Sequence, residues 1–586
     1  MGHTSRIARY SVVLAIAGLA AASCGSTDNG SSTNNTLKLL GATQDVDHLD
    51  TASAYTQIAY TLERGYARQL VSYAASNDYT AATTLVPDVA TTVPNTADGS
   101  ISADGKTYKF TLRDGVMWNT NPPRAVTSQD FLLGLKRLCN PVNPVGAPQY
   151  YNQTISGFKK YCTAFGALSA TSSAAQLTTF MTANSISGIA TPDAKSIIFT
   201  LDQPAPDFLN IIALPFASAA PVEYNAYVPD STTFQKNMLS DGPYAVTKYT
   251  AATEIDLGKN TAWSQASDPI RHQYVDNVVV TEGSNESAIQ QAIESGTADL
   301  EWDTTVPIAS LSSKKSDPRF GSFPVPGTNP FLAFNLVSPH NGGALGKVAV
   351  RQALEYAIDK TAIGKVYGGP DFNTPLGQIL PPGTGGYQQF DPYATTDSSG
   401  DPQKCKTMLA AAGYPNGLTL SDAYRGSGKH PDVFQVVKQD LANCGVTVNG
   451  TAVTGYYADH LSKLSATKSG DWDISEPGWG PDWFGPNSAR SIIVPLFDGR
   501  GLTDGTTDFG EYNSAAVNTL IDKALSATSS TEANSDWHQV DVQLMNDAVI
   551  VPFQSQKTNL FHSSRVQNAI FVPFSNSFDI TQVSLH

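Results

Sequence analysis

Charged side chains are scarce in this chain of 586 residues. Asp, Glu, Lys and Arg together make up 15%, against roughly 25% in an ordinary soluble domain. Positive charge is the scarcer sign, with 37 Lys+Arg against 52 Asp+Glu, and a chain without a basic excess lacks the electrostatic footprint of a nucleic-acid binder. Long apolar runs are also missing. The stretch Ser11 to Ala22 (SVVLAIAGLAAA) is 12 residues long, short of the about 20 that span a bilayer, and no later segment is both long and apolar enough. What is present is 41% apolar and 9% aromatic residues. That supports sizeable cores and excludes wholesale disorder, collagen and coiled coil. The length suggests three or four folding units, or fewer large ones.

Catalytic signatures are missing too. Gly105-Lys106-Thr107 has no glycine at the upstream spacing of a phosphate loop, and at Gly428-Lys429 the next residue is His430 rather than Ser or Thr. There is no HExxH and no GxSxG, and the nine His are scattered singly. Asp45, Asp47 and Asp50 cluster without the glycine and distal Glu of a calcium loop, so a solvated turn is expected there. No cofactor or metal is expected.

The N-terminus reads as a targeting segment. Arg6 and Arg9 precede the apolar run, and Ala21-Ala22-Ser23 leads into Cys24. This resembles the bacterial lipobox, in which the cysteine is diacylated, although Ala21 stands where Leu is usual. An ordinary signal peptide with an unrelated cysteine is the alternative. Gly25 to Thr36 (GSTDNGSSTNNT) is polar and low in complexity, as a flexible tether would be. Removing residues 1–23 takes two basic and no acidic side chains, so the net charge moves from −15 to −17. Four cysteines then remain beyond Cys24: Cys139, Cys162, Cys405 and Cys444. An even number in an exported chain suggests disulfides. Three pairings are open, of which the sequence-local Cys139–Cys162 and Cys405–Cys444 are favoured.

Periodicity predicts alternating helices and strands, hence an α/β class. Leu37–Gly41, Thr107–Leu112, Ile197–Leu201, Val278–Val280, Phe331–Leu336 and Ile550–Pro552 read as strands. Tyr60 to Tyr73 has helical spacing. Ser128–Leu138 reads as a helix capped by Thr127 or Ser128, Glu286–Ser295 as one stopped by Gly296, and Val348–Ala362 as one amphipathic helix. Val517 to Leu525 forms another helical stripe.

Several segments carry a more specific signal. Asp104 to Trp118 reads DGKTYKFTLRDGVMW and Ala125 to Phe131 reads AVTSQDF. Gly242-Pro243-Tyr244, Asn260 with Trp263, and Ala292, Gly296 and Asp299 follow. Then come Asn335, Val350-Arg351-Gln352-Ala353-Leu354 with Ile358-Asp359-Lys360, Gly478-Trp479-Gly480-Pro481-Asp482, and Val551-Pro552. In this order they resemble the family 5 solute-binding proteins of ABC importers, the oligopeptide- and dipeptide-binding proteins. The resemblance runs from about residue 37 to the C-terminus. It departs from the pattern at Ala349, where Pro is common, and at Gly485-Pro486, where the family often has Asp-Pro.

The resemblance implies a two-lobed periplasmic-binding-protein-like fold of type II with an extra subdomain in the first lobe. Mapped onto this chain, residues 1–23 are a signal peptide and 24–36 a lipid-anchored tether. Residues 37–59, 191–330 and 548–586 form the lobe I core, 60–190 the extra subdomain, and 331–547 lobe II. Arg113 and Asp114 would fix a turn and touch no ligand. Asp482 matches the aspartate that pairs with a peptide's α-ammonium, and Trp479 and Gly480 would present an aromatic wall and backbone beside it. Tyr424, Arg425, Lys429 and His430 are the candidates for a ligand's carboxylate end, and Tyr55 faces the cleft from the first lobe. The implied function is that of a monomeric, non-enzymatic lipoprotein on the outer face of the cytoplasmic membrane. It would capture peptides for an ABC permease and ATPase. A non-peptide solute (oligosaccharide, opine or metal complex) and an envelope hydrolase are the alternatives.

Overall fold

A computed structural model describes residues 35–42, 46–144, 148–323, 329–485, 487–502 and 504–586. The expected signal peptide, Cys24 and Asp45 lie outside the described residues. Residues 36–586 form one compact unit.

Two sheets organise it. In the first, the order is Leu300–Glu301, Thr36–Leu40, Asn277–Thr281, Glu254–Lys259, Tyr244–Thr250. Thr36–Leu40 runs parallel to Asn277–Thr281, with Leu37 opposite Val278 and Leu39 opposite Val280. All four side chains are buried on one face, as strict alternation requires. The strand begins at Thr36, the residue expected to end the tether. The second sheet has the order Val446–Val453, Leu418–Arg425, Ile474–Ser475, Asn329–Phe334, Gly478–Trp479, with Ile550–Pro552 also pairing Asn329–Phe334. A smaller sheet of Thr107–Thr111, Ser196–Thr200 and Ile189–Asp193 sits in a separate apolar cluster with the helix Ser128–Arg137. Three large cores result, one for each sheet.

Local chemistry sets most boundaries. Thr127 and Asp130 form a reciprocal capping box at the helix Ser128–Arg137. Gly296, at φ +75°, ends the helix Glu286–Ser295 in the left-handed conformation that glycine adopts without strain. The expected helix over Val348–Ala362 is two helices, Val348–Glu355 and Lys360–Val366. The break falls where Asp359 turns to cap the second, accepting the Ala362 N–H at 2.7 Å. The helical spacing of Tyr60 to Tyr73 also divides: the helix is Gln57–Tyr66, and Val71–Tyr73 is a strand. Between them the chain extends so that Arg68 reaches Asp88 at 2.9 Å inside a buried network with Asp268 and Arg271.

Most of the recognisable segments are structural. Gly242 lies so close to the helix Gln57–Tyr66 that a Cβ there would stand 2.5 Å from the Gly65 carbonyl oxygen, and Asn260 donates to the Gly242 carbonyl at 2.8 Å. Arg351 donates to the carbonyls of Leu345, Asp547 and Ala548, pinning the returning chain to the second sheet's lobe. Arg113 donates to the Ala90 carbonyl, while the exposed Asp114 pairs with Lys195 at 3.1 Å. Asp50 is a correction. It is buried and takes a bidentate grip from Arg137, so it is no solvated turn residue. Asp47 accepts from Thr56 Oγ1 at 2.7 Å and fixes the turn before Tyr55. Disulfides join Cys139 to Cys162 and Cys405 to Cys444. Among the described residues no helix is long and apolar enough to cross a membrane.

Candidate functional site

The strand Gly478–Trp479 pairs with Asn329–Pro330 at the start of the strand Asn329–Phe334 in the second sheet. The loop after it carries Gly480, half-buried, and Asp482. It then delivers Trp483, Phe484 and Arg490 into the first lobe. Trp483 is fully buried in the small-sheet core, its ring 5.1 Å from Tyr150. Phe484 joins the first sheet's core. Removing an indole from water takes about 200 Å² of surface and contributes roughly 5 kcal/mol. Arg490, also buried, meets Asp207 at 3.2 Å and donates to Thr154 at 2.9 Å. These contacts fix the loop against the opposite lobe.

Asp482 therefore points into the junction. Its Oδ2 accepts two hydroxyls from the first lobe, Tyr55 at 2.9 Å and Tyr150 at 2.5 Å. Its own N–H donates to Ser491 Oγ at 3.1 Å. Burial pushes its carboxyl up to about 6, against the lowering effect of the two tyrosine bonds. Burial and the nearby carboxylate raise the hydroxyls of Tyr55, Tyr60 and Tyr150 well above the usual phenol value, so they stay protonated as donors. The Trp479 ring lies edge-on to Tyr55, with centroids 6.4 Å apart, and its indole N–H donates to the Ser491 carbonyl. Phe216 lies between Tyr55 and Tyr60, at 5.2 and 5.9 Å. The structure thus brings together Asp482, Trp479, Gly480 and Tyr55, and adds Tyr60, Tyr150 and Phe216. Tyr150 sits in PQYYN, which carries no motif, and nothing in the sequence marks it.

The second group assembles in part. Arg425, at the end of the strand Leu418–Arg425, donates to the Glu476 carbonyl at 2.9 Å and lies over the rings of Tyr456 and Tyr457, at 4.9 and 5.9 Å. Lys429 lies 4.6 Å over Tyr367. Burial, with Arg425 nearby, brings Lys429 down to about 8, while Glu286 of the other lobe opposes the shift. His430 begins the helix His430–Asn443, and burial beside Arg425 and Lys429 brings it down to about 3, so it is neutral. Tyr424 is not part of this cluster: its ring stacks on Phe434 at 4.3 Å and packs onto the lobe core, as alternation along the strand from Arg425 requires. Sequence reasoning missed two buried acids here, Asp422 and Glu476. Burial pushes both up, and for Asp422 the neighbouring Glu476 adds to it. Among the described residues no group of His, Cys, Asp and Glu gathers as metal ligands.

Comparison with known proteins places this arrangement. The pattern of bacterial extracellular solute-binding proteins, family 5 (middle), matches residues 84–495. Heme-binding protein A of Haemophilus influenzae is 26% identical over 495 residues, covering 81% of this chain and 80% of that protein. The dipeptide-binding protein of Escherichia coli is 25% identical over 469 residues, covering 77% of each. Among solved structures, clavulanic acid biosynthesis oligopeptide binding protein 2 superposes with a TM-score of 0.80 at 25% identity, covering 94% of this chain and 95% of that one. The chain belongs to the family 5 bacterial extracellular solute-binding proteins and has their two-lobed type II fold.

Proposed function

We propose that this family 5 solute-binding protein is the capture subunit of an ABC importer, held at the outer face of the cytoplasmic membrane by a lipid on Cys24. It takes oligopeptides or dipeptides between its lobes and delivers them intact to a permease driven by an ATPase. Residues 331–547 act as a lobe that closes on the first, and the enclosed ligand is released when they part.

A single site serves many peptides when it binds what all peptides share. Extended main chain offers regular N–H and C=O groups to a strand-like partner, and side chains are accommodated through water. The ends supply charge. Asp482 is the anchor for the α-ammonium. Its Oδ2 is held by Tyr55 and Tyr150, and no described residue hydrogen-bonds Oδ1. That half-satisfied carboxylate in the lobe junction is the observation that carries the reading, because a buried acceptor gains most from a charged donor. Lys429 and Arg425 are the cations for the carboxylate end. The relatives named above bind dipeptides, oligopeptides and heme. The aromatic wall of Tyr55, Phe216 and Trp479 favours a second reading, a cyclic non-peptide solute.

Native mass spectrometry of the protein purified from its source tests the proposal. Retained solutes should be intact peptides with free amino ends. Retained solutes lacking an amine, or recovery of cleaved products after incubation with a peptide, would contradict it.

A further inference from the structure

The strand Asn329–Phe334 and the helix Arg490–Phe497 leave space between them. Asn329 and Phe331, two residues apart, share one face of the strand. Ile492 and Leu496, four apart, share one face of the helix. With Leu376, Ile379 and Trp479 they surround a cavity of about 300 Å³, part of it open to the exterior. The five aliphatic and phenyl side chains are buried, whereas Trp479 is half-buried and stands at the mouth.

Asn329 is the exception in this apolar lining. It is 7% exposed, and neither its Oδ1 nor its Nδ2 has a hydrogen-bond partner. Trp479 spends its indole N–H on the Ser491 carbonyl, and among the described residues no charged side chain lines the cavity. A buried amide without partners is costly to the free protein. A ligand amide, with one N–H and one C=O, offers what Asn329 lacks. The cavity also adjoins the Asp482 site, because Trp479 lies edge-on to Tyr55, which donates to Asp482. Trp479 and Asp482 are three residues apart, at most about 11 Å of chain, a span that an extended tripeptide covers. Phe331 and Leu496 line a second cavity of about 270 Å³ as well, so the partition they form has room to yield to a larger group.

We propose that this cavity is a side pocket of the solute site that takes a compact apolar group, the size of a leucine or phenylalanine side chain, and that Asn329 pairs with the amide from which the group hangs. The substrate class narrows to peptides with an apolar side chain within three residues of the anchored end. A charged side chain finds no counter-charge there and is rejected by the cost of burying it. The inference rests on the reading of the protein as a peptide binder.

Calorimetric titration of the purified protein at pH 7.5 with trialanine and the three tripeptides that carry one leucine among alanines tests it. One leucine peptide should bind at least about tenfold more tightly than trialanine, and its lysine counterpart should bind more weakly than trialanine. If all the peptides bind within about threefold of one another, the pocket is wrong and the peptide reading stands. If none binds, both fall. Ile492→Phe, which fills the cavity, should cancel the leucine gain. A gain that survives this substitution puts the leucine elsewhere and overturns the assignment. Asn329→Leu removes the orphaned amide, so the melting temperature of the free protein should rise while the peptides bind about tenfold more weakly. A lowered melting temperature with unchanged affinities would mean that the amide serves the fold alone, and would overturn its role in the pocket.

Discussion

The Tyr150 hydroxyl and the Asp482 carboxylate, 332 residues apart in sequence, lie 2.5 Å apart. Together with Tyr55 they hold a carboxylate in a place that raises its proton affinity, to about 6. An ammonium ligand needs the ionised form. Its affinity should therefore fall about tenfold from pH 7 to pH 5. Titrations between pH 5 and 8 read this directly. The stability of the unliganded protein runs the other way. A folded-state value above the free-residue value means that the group's contribution is present in full below about pH 4 and is lost as the pH rises through 6. Asp482→Asn should flatten that part of the melting-temperature profile.

Each tyrosine bond opposes the effect of burial on Asp482. Tyr150→Phe removes one, so the acid limb of the binding profile should move to higher pH. The change at pH 6 should then exceed the change at pH 8. An equal loss at both would mean that the Tyr150 hydroxyl does not act through the ionisation of Asp482.

Asp207 and Arg490, 283 residues apart in sequence, form a buried ion pair. Breaking one partner leaves the other charge buried and unpaired, at a cost of about 3–5 kcal/mol. Asp207→Asn should lower the denaturation midpoint accordingly. Replacing both by apolar residues of similar volume should recover most of the loss.

The two disulfides differ in accessibility. Cys405 and Cys444 are buried in the second sheet's core, whereas Cys162 is only half-buried. Mild reductant should open Cys139–Cys162 first, read as the order of alkylation by mass spectrometry. Losing Cys405–Cys444, with its sequence separation of 39, should destabilise by about 4 kcal/mol.

The fold was largely legible in the sequence because its markers are locally determined. Thr127 with Asp130, Gly296, and the alternation of Leu37 and Leu39 each act within a few residues. The errors fall where a distant partner decides. Arg68 leaves the helical pattern to meet Asp88, and Asp50 turns inward to Arg137. Within the candidate site, Asp482 and Trp479 lie in a recognisable segment. Tyr60 and Tyr150 gain significance only through a carboxylate more than 300 positions away, and Asp422 and Glu476 through their shared burial. Tyr424 is adjacent to Arg425 in sequence yet faces the other side of its strand.

The central claim is that the Asp482 carboxylate grips the positive end of a bound solute. Calorimetric titration of wild type and Asp482→Asn with trialanine and N-acetyl-trialanine at pH 7.5 tests it most directly. The account predicts tight binding only for wild type with the free amine, and no further loss when acetylation and the substitution are combined. Equal affinities of the two proteins for trialanine would contradict it.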